Sequence, residues 1–155
     1  MDTTILEIEE TQTEKPMSLN HSRLSYRLSN LLSKYEEKYD ILPELDFELF
    51  ADKAKPDIAI CNKMPVDWRH DIVRLTEPPI TIIEILSPKQ PYNDLTDKIY
   101  DTYFRSGVKS VWLILPSVEA IQLFVPDQPV SYFNETVFQD PISGIELNIK
   151  ELFKS

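Results

Sequence analysis

The run Ile80-Thr81-Ile82-Ile83-Glu84-Ile85-Leu86 constrains this chain most. Both of its alternating faces are apolar, the pattern of a central strand covered on each side. Pro78-Pro79 precede it, and Pro88 and Pro91 end it. A sheet with two covered faces needs helices or loops on both. The order of signals along the chain supplies them.

From Ser18 a helix begins, with Leu24, Leu28, Leu31, Leu32 and Tyr35 at helical spacing, His21 on the same stripe, and Ser18 or Asn20 as N-cap. Pro43 marks a turn, after which Leu45, Phe47 and Leu49 alternate with Asp46 and Glu48 as a half-buried strand. Asp57 to Cys61 follows as a second strand, then a polar segment over 62–79, then the central strand. A second helix is expected from about Asn93 to Ser106, with Leu95, Ile99 and Tyr103 inward. Gly107 is its left-handed cap and Val108 packs back on the last turn. Val111–Leu115 and Ile121–Val125 read as further strands, and 126–155 as short turns with one or two more. The reading is a mixed α/β (α+β) fold, a mixed sheet flanked by helices in the order α-β-β-β-α-β plus further strands.

With 155 residues and 42% hydrophobic content there is room for one cored domain and hardly for two. We expect a single domain over 16–155 behind an acidic, loosely ordered tail at 1–15, which carries one short strand at Ile5-Leu6-Glu7-Ile8. No charge-free stretch exceeds Ser110–Val118, far short of the roughly 20 apolar residues a membrane helix needs. The segment after Met1 shows no basic region followed by an apolar run, and Cys61 is the single cysteine. The expectation is a soluble cytoplasmic protein without disulfides or a cysteine-based zinc site. Only two glycines are present, which argues against phosphate-cradling loops.

A net charge of −10 speaks at face value against a nucleic-acid partner. The excess lies at the ends, however. Residues 15–126 hold 16 acids against 14 bases, a nearly neutral centre that neither recommends nor forbids a polyanion.

Glu84 is the odd residue of the central strand. A buried carboxylate costs several kcal/mol unless a cation or hydrogen bonds relieve it. It pairs with a basic side chain, sits half-solvated near the strand end, or serves as a metal ligand. Asp57, opening a neighbouring strand after Pro56, could lie beside it, although Pro-Asp at a strand start is also ordinary turn chemistry. Lys98, one helical turn from Asp94 and Leu95, is either a solvated surface residue or a cation presented over the sheet edge. Two carboxylates and a lysine suit metal-dependent phosphodiester hydrolysis.

At these residues the chain resembles a known family. Lys55-Pro56-Asp57-Ile58-Ala59-Ile60, Ile83-Glu84-Ile85-Leu86-Ser87-Pro88, Asp94-Leu95-Thr96-Asp97-Lys98 and Ser106-Gly107-Val108-Lys109-Ser110-Val111-Trp112-Leu113-Ile114 are similar to motifs of the Uma family of restriction-type endonucleases, within the PD-(D/E)xK nuclease superfamily. The similarity spans roughly 18–125. It implies a restriction-endonuclease-like core, with Asp57, Glu84 and the Ile85 carbonyl as ligands for magnesium or manganese. In the superfamily's usual pattern a lysine stands two residues after the glutamate; here Leu86 holds that place and Lys98 matches a position moved to the following helix. His21 matches a histidine of the first helix, as a site group or a core or capping residue. Ser87 and Asp94 match positions that shape the turn and cap the second helix.

The resemblance further implies a nucleic-acid substrate, DNA ahead of RNA, and a homodimer, for which the apolar Ile121–Val125 strand with Tyr132 and Phe133 would be a facing surface. Arg69, Arg74, Lys89 and Arg105 are candidate phosphate contacts, joined by Lys98 and Lys109, with Trp68 and Tyr92 as stacking groups. Against a nucleic-acid contact, the 62–79 segment reads rather as a solvated connection or a dimer contact. The competing reading is a catalytically inactive descendant acting as a binding or regulatory module. The presence of all three of Asp57, Glu84 and Lys98 weighs against it.

Overall fold

The computed structural model describes residues 17–155. The expected acidic tail and its strand at Ile5-Leu6-Glu7-Ile8 lie outside the described residues. Helix α1 spans Leu19–Leu32, and Ser18 is its N-cap, its hydroxyl accepting from the His21 amide at 3.1 Å. The strands are β1 (Tyr39–Pro43), β2 (Asp46–Glu48), β3 (Lys53–Ala54), β4 (Ile58–Asn62), β5 (Arg74–Leu75), β6 (Thr81–Ile85), β7 (Ser110–Leu115), β8 (Ala120–Phe124), β9 (Ser131–Phe133), β10 (Val137–Asp140) and β11 (Ile145–Asn148). Helix α2 covers Tyr92–Lys98 between β6 and β7, and a short α3, Ile149–Leu152, closes the described chain.

Six strands form the main sheet in the order β1-β4-β6-β7-β8-β9, so β6 is central as its composition demands. β6 and β7 run parallel, joined by the α2 crossover, and every other neighbouring pair in this sheet is antiparallel. One face packs Ile58, Ile60, Ile83, Ile85, Trp112 and Ile114 against Leu24, Leu28 and Leu32 of α1 and against the β10–β11 hairpin. The opposite face packs Ala59, Ile82, Val111 and Leu113 against Leu95, Ile99 and Tyr103, with Phe47 of the side sheet β3-β2-β5 and Leu49 just after it.

Three expectations need correction. The first strand of the main sheet is β1, ahead of Pro43 rather than after it. An edge strand tolerates a terminal proline because no neighbour needs its missing amide hydrogen, and the Leu45–Leu49 segment instead contributes β2 to the side sheet. The second helix is not uniform: after Lys98 it widens over Ile99–Tyr103 and tightens over Phe104–Ser106. Gly107 then caps it at φ 101°, and buried Val108 donates to the Tyr103 carbonyl, as the sequence requires. The apolar residues of Ile121–Val125 do not face outward. Ile121 and Leu123 lie in one core and Phe124 in the other, which leaves Tyr132 as the exposed aromatic there.

The C-terminal part holds three strands and a helix, tied to the sheet by a buried carboxylate. Asp140 Oδ2 accepts from Ser110 Oγ at 2.7 Å, Trp112 Nε1 at 2.9 Å and Ser143 Oγ at 2.9 Å, while Oδ1 accepts from the Ile142 amide at 2.8 Å. Thr81 Oγ1, 2.6 Å from Ser110 Oγ, completes the group. Among the described residues the donors around this carboxylate are neutral. Asp140→Asn places an amide NH2 among donors, so we expect a loss on the order of 2–3 kcal/mol in urea unfolding. An unchanged midpoint would contradict this account.

Candidate active site

The antiparallel pairing of β4 with β6 sets Ile58 opposite Ile83, which brings Asp57 beside Glu84. Each acid then accepts a backbone amide from the other's side of the pairing. The Asp57 amide donates to Glu84 Oε1 at 3.1 Å, and the Ile85 amide donates to Asp57 Oδ2 at 2.7 Å. Glu84 is 3% exposed in the middle of the apolar run, whereas the Asp57 side chain retains 21% of its surface.

Cationic and polar groups reach this pair from both layers. From α1, His21 Nε2 lies 3.0 Å from Asp57 Oδ1, and its Nδ1 stands 3.5 Å from Ser25 Oγ. From the α2 side, Lys98 Nζ lies 3.7 Å from Glu84 Oε2. Tyr103 donates its hydroxyl to Glu84 Oε1 at 3.3 Å, and its ring lies 5.4 Å from Lys98 Nζ. Two acids so close repel unless positive charge or hydrogen bonds relieve them. Here every carboxylate oxygen of the pair has a protein partner.

The electrostatics follow from that crowding. The hydrogen bond to Asp57 raises the His21 pKa above its ordinary value; burial opposes the shift, and the charges of Asp57, Glu44 and Glu84 add to it. Burial, reinforced by Glu84 and Asp57, pushes the Tyr103 phenol well above its usual range, so it stays a donor at neutral pH.

Of the residues singled out in the sequence, the structure brings together His21, Asp57, Glu84 and Lys98, with Ile85 contributing its amide. Ser87 builds the turn after β6: its carbonyl accepts from the Gln90 amide at 3.0 Å and its own amide meets Gln90 Oε1 at 3.4 Å. Asp94 does not cap α2. The cap position belongs to Pro91, which has no capping side chain, and Asp94 sits exposed in the first turn. Arg69, Arg74, Lys89 and Arg105 are all exposed. Trp68 is 94% exposed, while Tyr92 is pinned by its hydroxyl to Gln122 Oε1 at 2.7 Å. Tyr103 is the member the sequence did not offer. It read only as a buried helix position, and nothing in a regular helix aligns it with Lys98.

As a donor set, two adjacent carboxylates suit a hard divalent cation. Among the described residues no group of three or more His, Cys, Asp and Glu forms a self-sufficient metal cage.

Residues 5–150 match the profile of the family Uma2, described as "Putative restriction endonuclease". The chain belongs to this family. The match is wider than the 18–125 span of the motifs and takes in the C-terminal hairpin. A solved structure from Anabaena variabilis, described as a "putative nuclease belonging to DUF820", is similar to this Uma2 protein with a TM-score of 0.77. The two are 26% identical over 90% of this chain and 84% of that one. No curated protein matches the sequence. In this Uma2 chain Leu86, at the superfamily's lysine position, is partly buried against the α2-side core, and Lys98 reaches Glu84 from the helix instead.

The raised His21 pKa has a sign that can be worked out. Its protonated pairing stabilises the fold fully below the unfolded value of about 6.5 and is lost as pH rises through the higher folded value. We therefore expect the stability gap between wild type and His21→Gln to be widest in mild acid and to narrow in alkali. A histidine NMR titration should find His21 above the ordinary histidine value, and Asp57→Asn should lower it.

Proposed function

We propose that this Uma2 protein is a divalent-metal-dependent endonuclease that hydrolyses nucleic-acid phosphodiesters, DNA ahead of RNA. The reading is carried by the convergence of two carboxylates and a lysine, from three separate elements, at one end of a paired strand couple. Asp57 and Glu84 would hold magnesium or manganese. The Ile85 carbonyl is the third candidate ligand, since in extended backbone it leaves the strand on the same side as the amide that meets Asp57. When bound, the ion would acidify a water and offset charge developing at phosphorus.

The chain's own groups do the rest. Lys98 orients the attacking water or neutralises the phosphorane oxygens. His21 holds Asp57 by its Oδ1 edge while the Ile85 amide holds Oδ2, so the carboxylate cannot rotate away. Exposed Arg69, Arg74, Lys89 and Arg105 offer contacts to phosphates that the overall acidic chain needs locally, and Trp68 offers a stacking face. Cutting both strands of a duplex calls for two sites, which a cytoplasmic homodimer would supply. Among the described residues no helix is long and apolar enough to cross a membrane.

The test is cleavage of duplex DNA, single-stranded DNA and RNA with magnesium or manganese, beside manganese calorimetry. We expect Glu84→Gln to abolish both cutting and metal binding while the protein still folds. Lys98→Met should keep metal binding and lose about 100- to 1,000-fold in turnover. Retained metal binding without cleavage of any nucleic acid would favour the binding-module reading, and full activity in Glu84→Gln would end the mechanism.

A further inference from the structure

Between Lys98 and Tyr103 the second helix changes its winding. The Phe104 amide donates to the Ile99 carbonyl, five residues back, which is the bonding of a π turn. In a regular α-helix two residues five apart point about 140° away from each other. Had α2 continued regularly, Lys98 and Tyr103 would face different directions. The wider turn brings them nearly into line, and both reach Glu84, the tyrosine at Oε1 and the lysine at Oε2. No glycine or proline between 92 and 106 forces the irregularity. The helix is wider where the site needs it.

Glu84 Oε1 receives two donors, the Asp57 amide and the Tyr103 hydroxyl. They fix the rotation of the carboxylate and turn Oε2 toward Lys98. The Tyr103 ring is fully buried, so its edge and face are held by the core. The ammonium rests over that face, where the π electrons attract it.

We propose that the π turn is the device that delivers the site's lysine, and that Tyr103 is a positioning residue, holding Glu84 with its hydroxyl and Lys98 with its ring. The role rests on the reading of Glu84 as a metal ligand and Lys98 as the catalytic cation.

Two substitutions separate the halves of the clamp. Tyr103→Phe keeps the ring and removes the hydroxyl; Tyr103→Leu removes both. The full chain is examined by NMR of the Glu84 carboxyl and Lys98 side-chain carbons, by manganese calorimetry and by cleavage kinetics. In Tyr103→Phe we expect a melting temperature near that of wild type, a displaced Glu84 carboxyl signal and Lys98 signals little changed. Manganese binding should weaken about tenfold, with kcat reduced and KM unchanged. Tyr103→Leu should in addition release the Lys98 signals toward those of a solvated lysine; if it fails to fold, the phenylalanine variant decides alone. Glu84 signals and manganese affinity identical to wild type in Tyr103→Phe would overturn the proposal. If wild type itself binds no manganese and cuts nothing, the nuclease reading falls, and the NMR signals alone then uphold or overturn the clamp.

Discussion

The site depends on one reciprocal contact: Asp57 and Glu84 each accept a hydrogen bond from the backbone of the other's strand. A carboxylate placed at a sheet end usually faces water, where hydrogen bonds are worth little net. Here Glu84 is almost fully buried, and the exchange of amide and carboxylate takes the place of solvent for both acids. It also locks register. A slip of one residue between β4 and β6 would move Asp57 away from Glu84 and turn Ile58 and Ile60 to the wrong face. Packing and chemistry therefore demand the same alignment.

The two layers of the fold meet at this contact. One helix brings a histidine to Asp57 and the crossover helix brings a lysine and a tyrosine to Glu84, so neither acid is balanced by its own strand. This division explains how the chain manages without a lysine two residues after Glu84. Leu86 packs into the core at that position, and the cation arrives from a different element. The positive charge beside Glu84 thus comes from the helix rather than from its own strand.

Legibility in the sequence followed the range of the interaction. The central strand, the Ser18 cap, the Gly107 turn and the Asp57–Glu84 neighbourhood rest on local patterns or on pairing between adjacent strands, and they could be read. β1 was missed because Pro43 looks like a boundary until one knows that its strand lies at an edge. The π turn leaves no compositional mark; Leu95, Ile99 and Tyr103 keep the stripe of an ordinary helix, so Tyr103 could be placed in the core but not at Glu84. Asp140 was equally invisible. Its partners Ser110 and Trp112 lie about thirty residues away, and an aspartate in a turn-rich stretch gives no hint of burial.

The Asp140 knot has a consequence for the order in which the molecule can be made. His21, Asp57, Glu84, Lys98 and Tyr103 have all been synthesised before β10 and β11 exist, whereas Thr81, Ser110 and Trp112 must wait for Asp140 to satisfy them. At about 5–20 residues per second a ribosome needs roughly two to seven seconds to pass from Tyr103 to Asp140. Until Asp140 is made, Trp112 Nε1 lacks its carboxylate acceptor and the Thr81 and Ser110 hydroxyls have each other, at the end of β6 opposite the carboxylates. The Asp57–Glu84 cluster is thus written early in the chain, and the carboxylate that fastens the other end of β6 follows it.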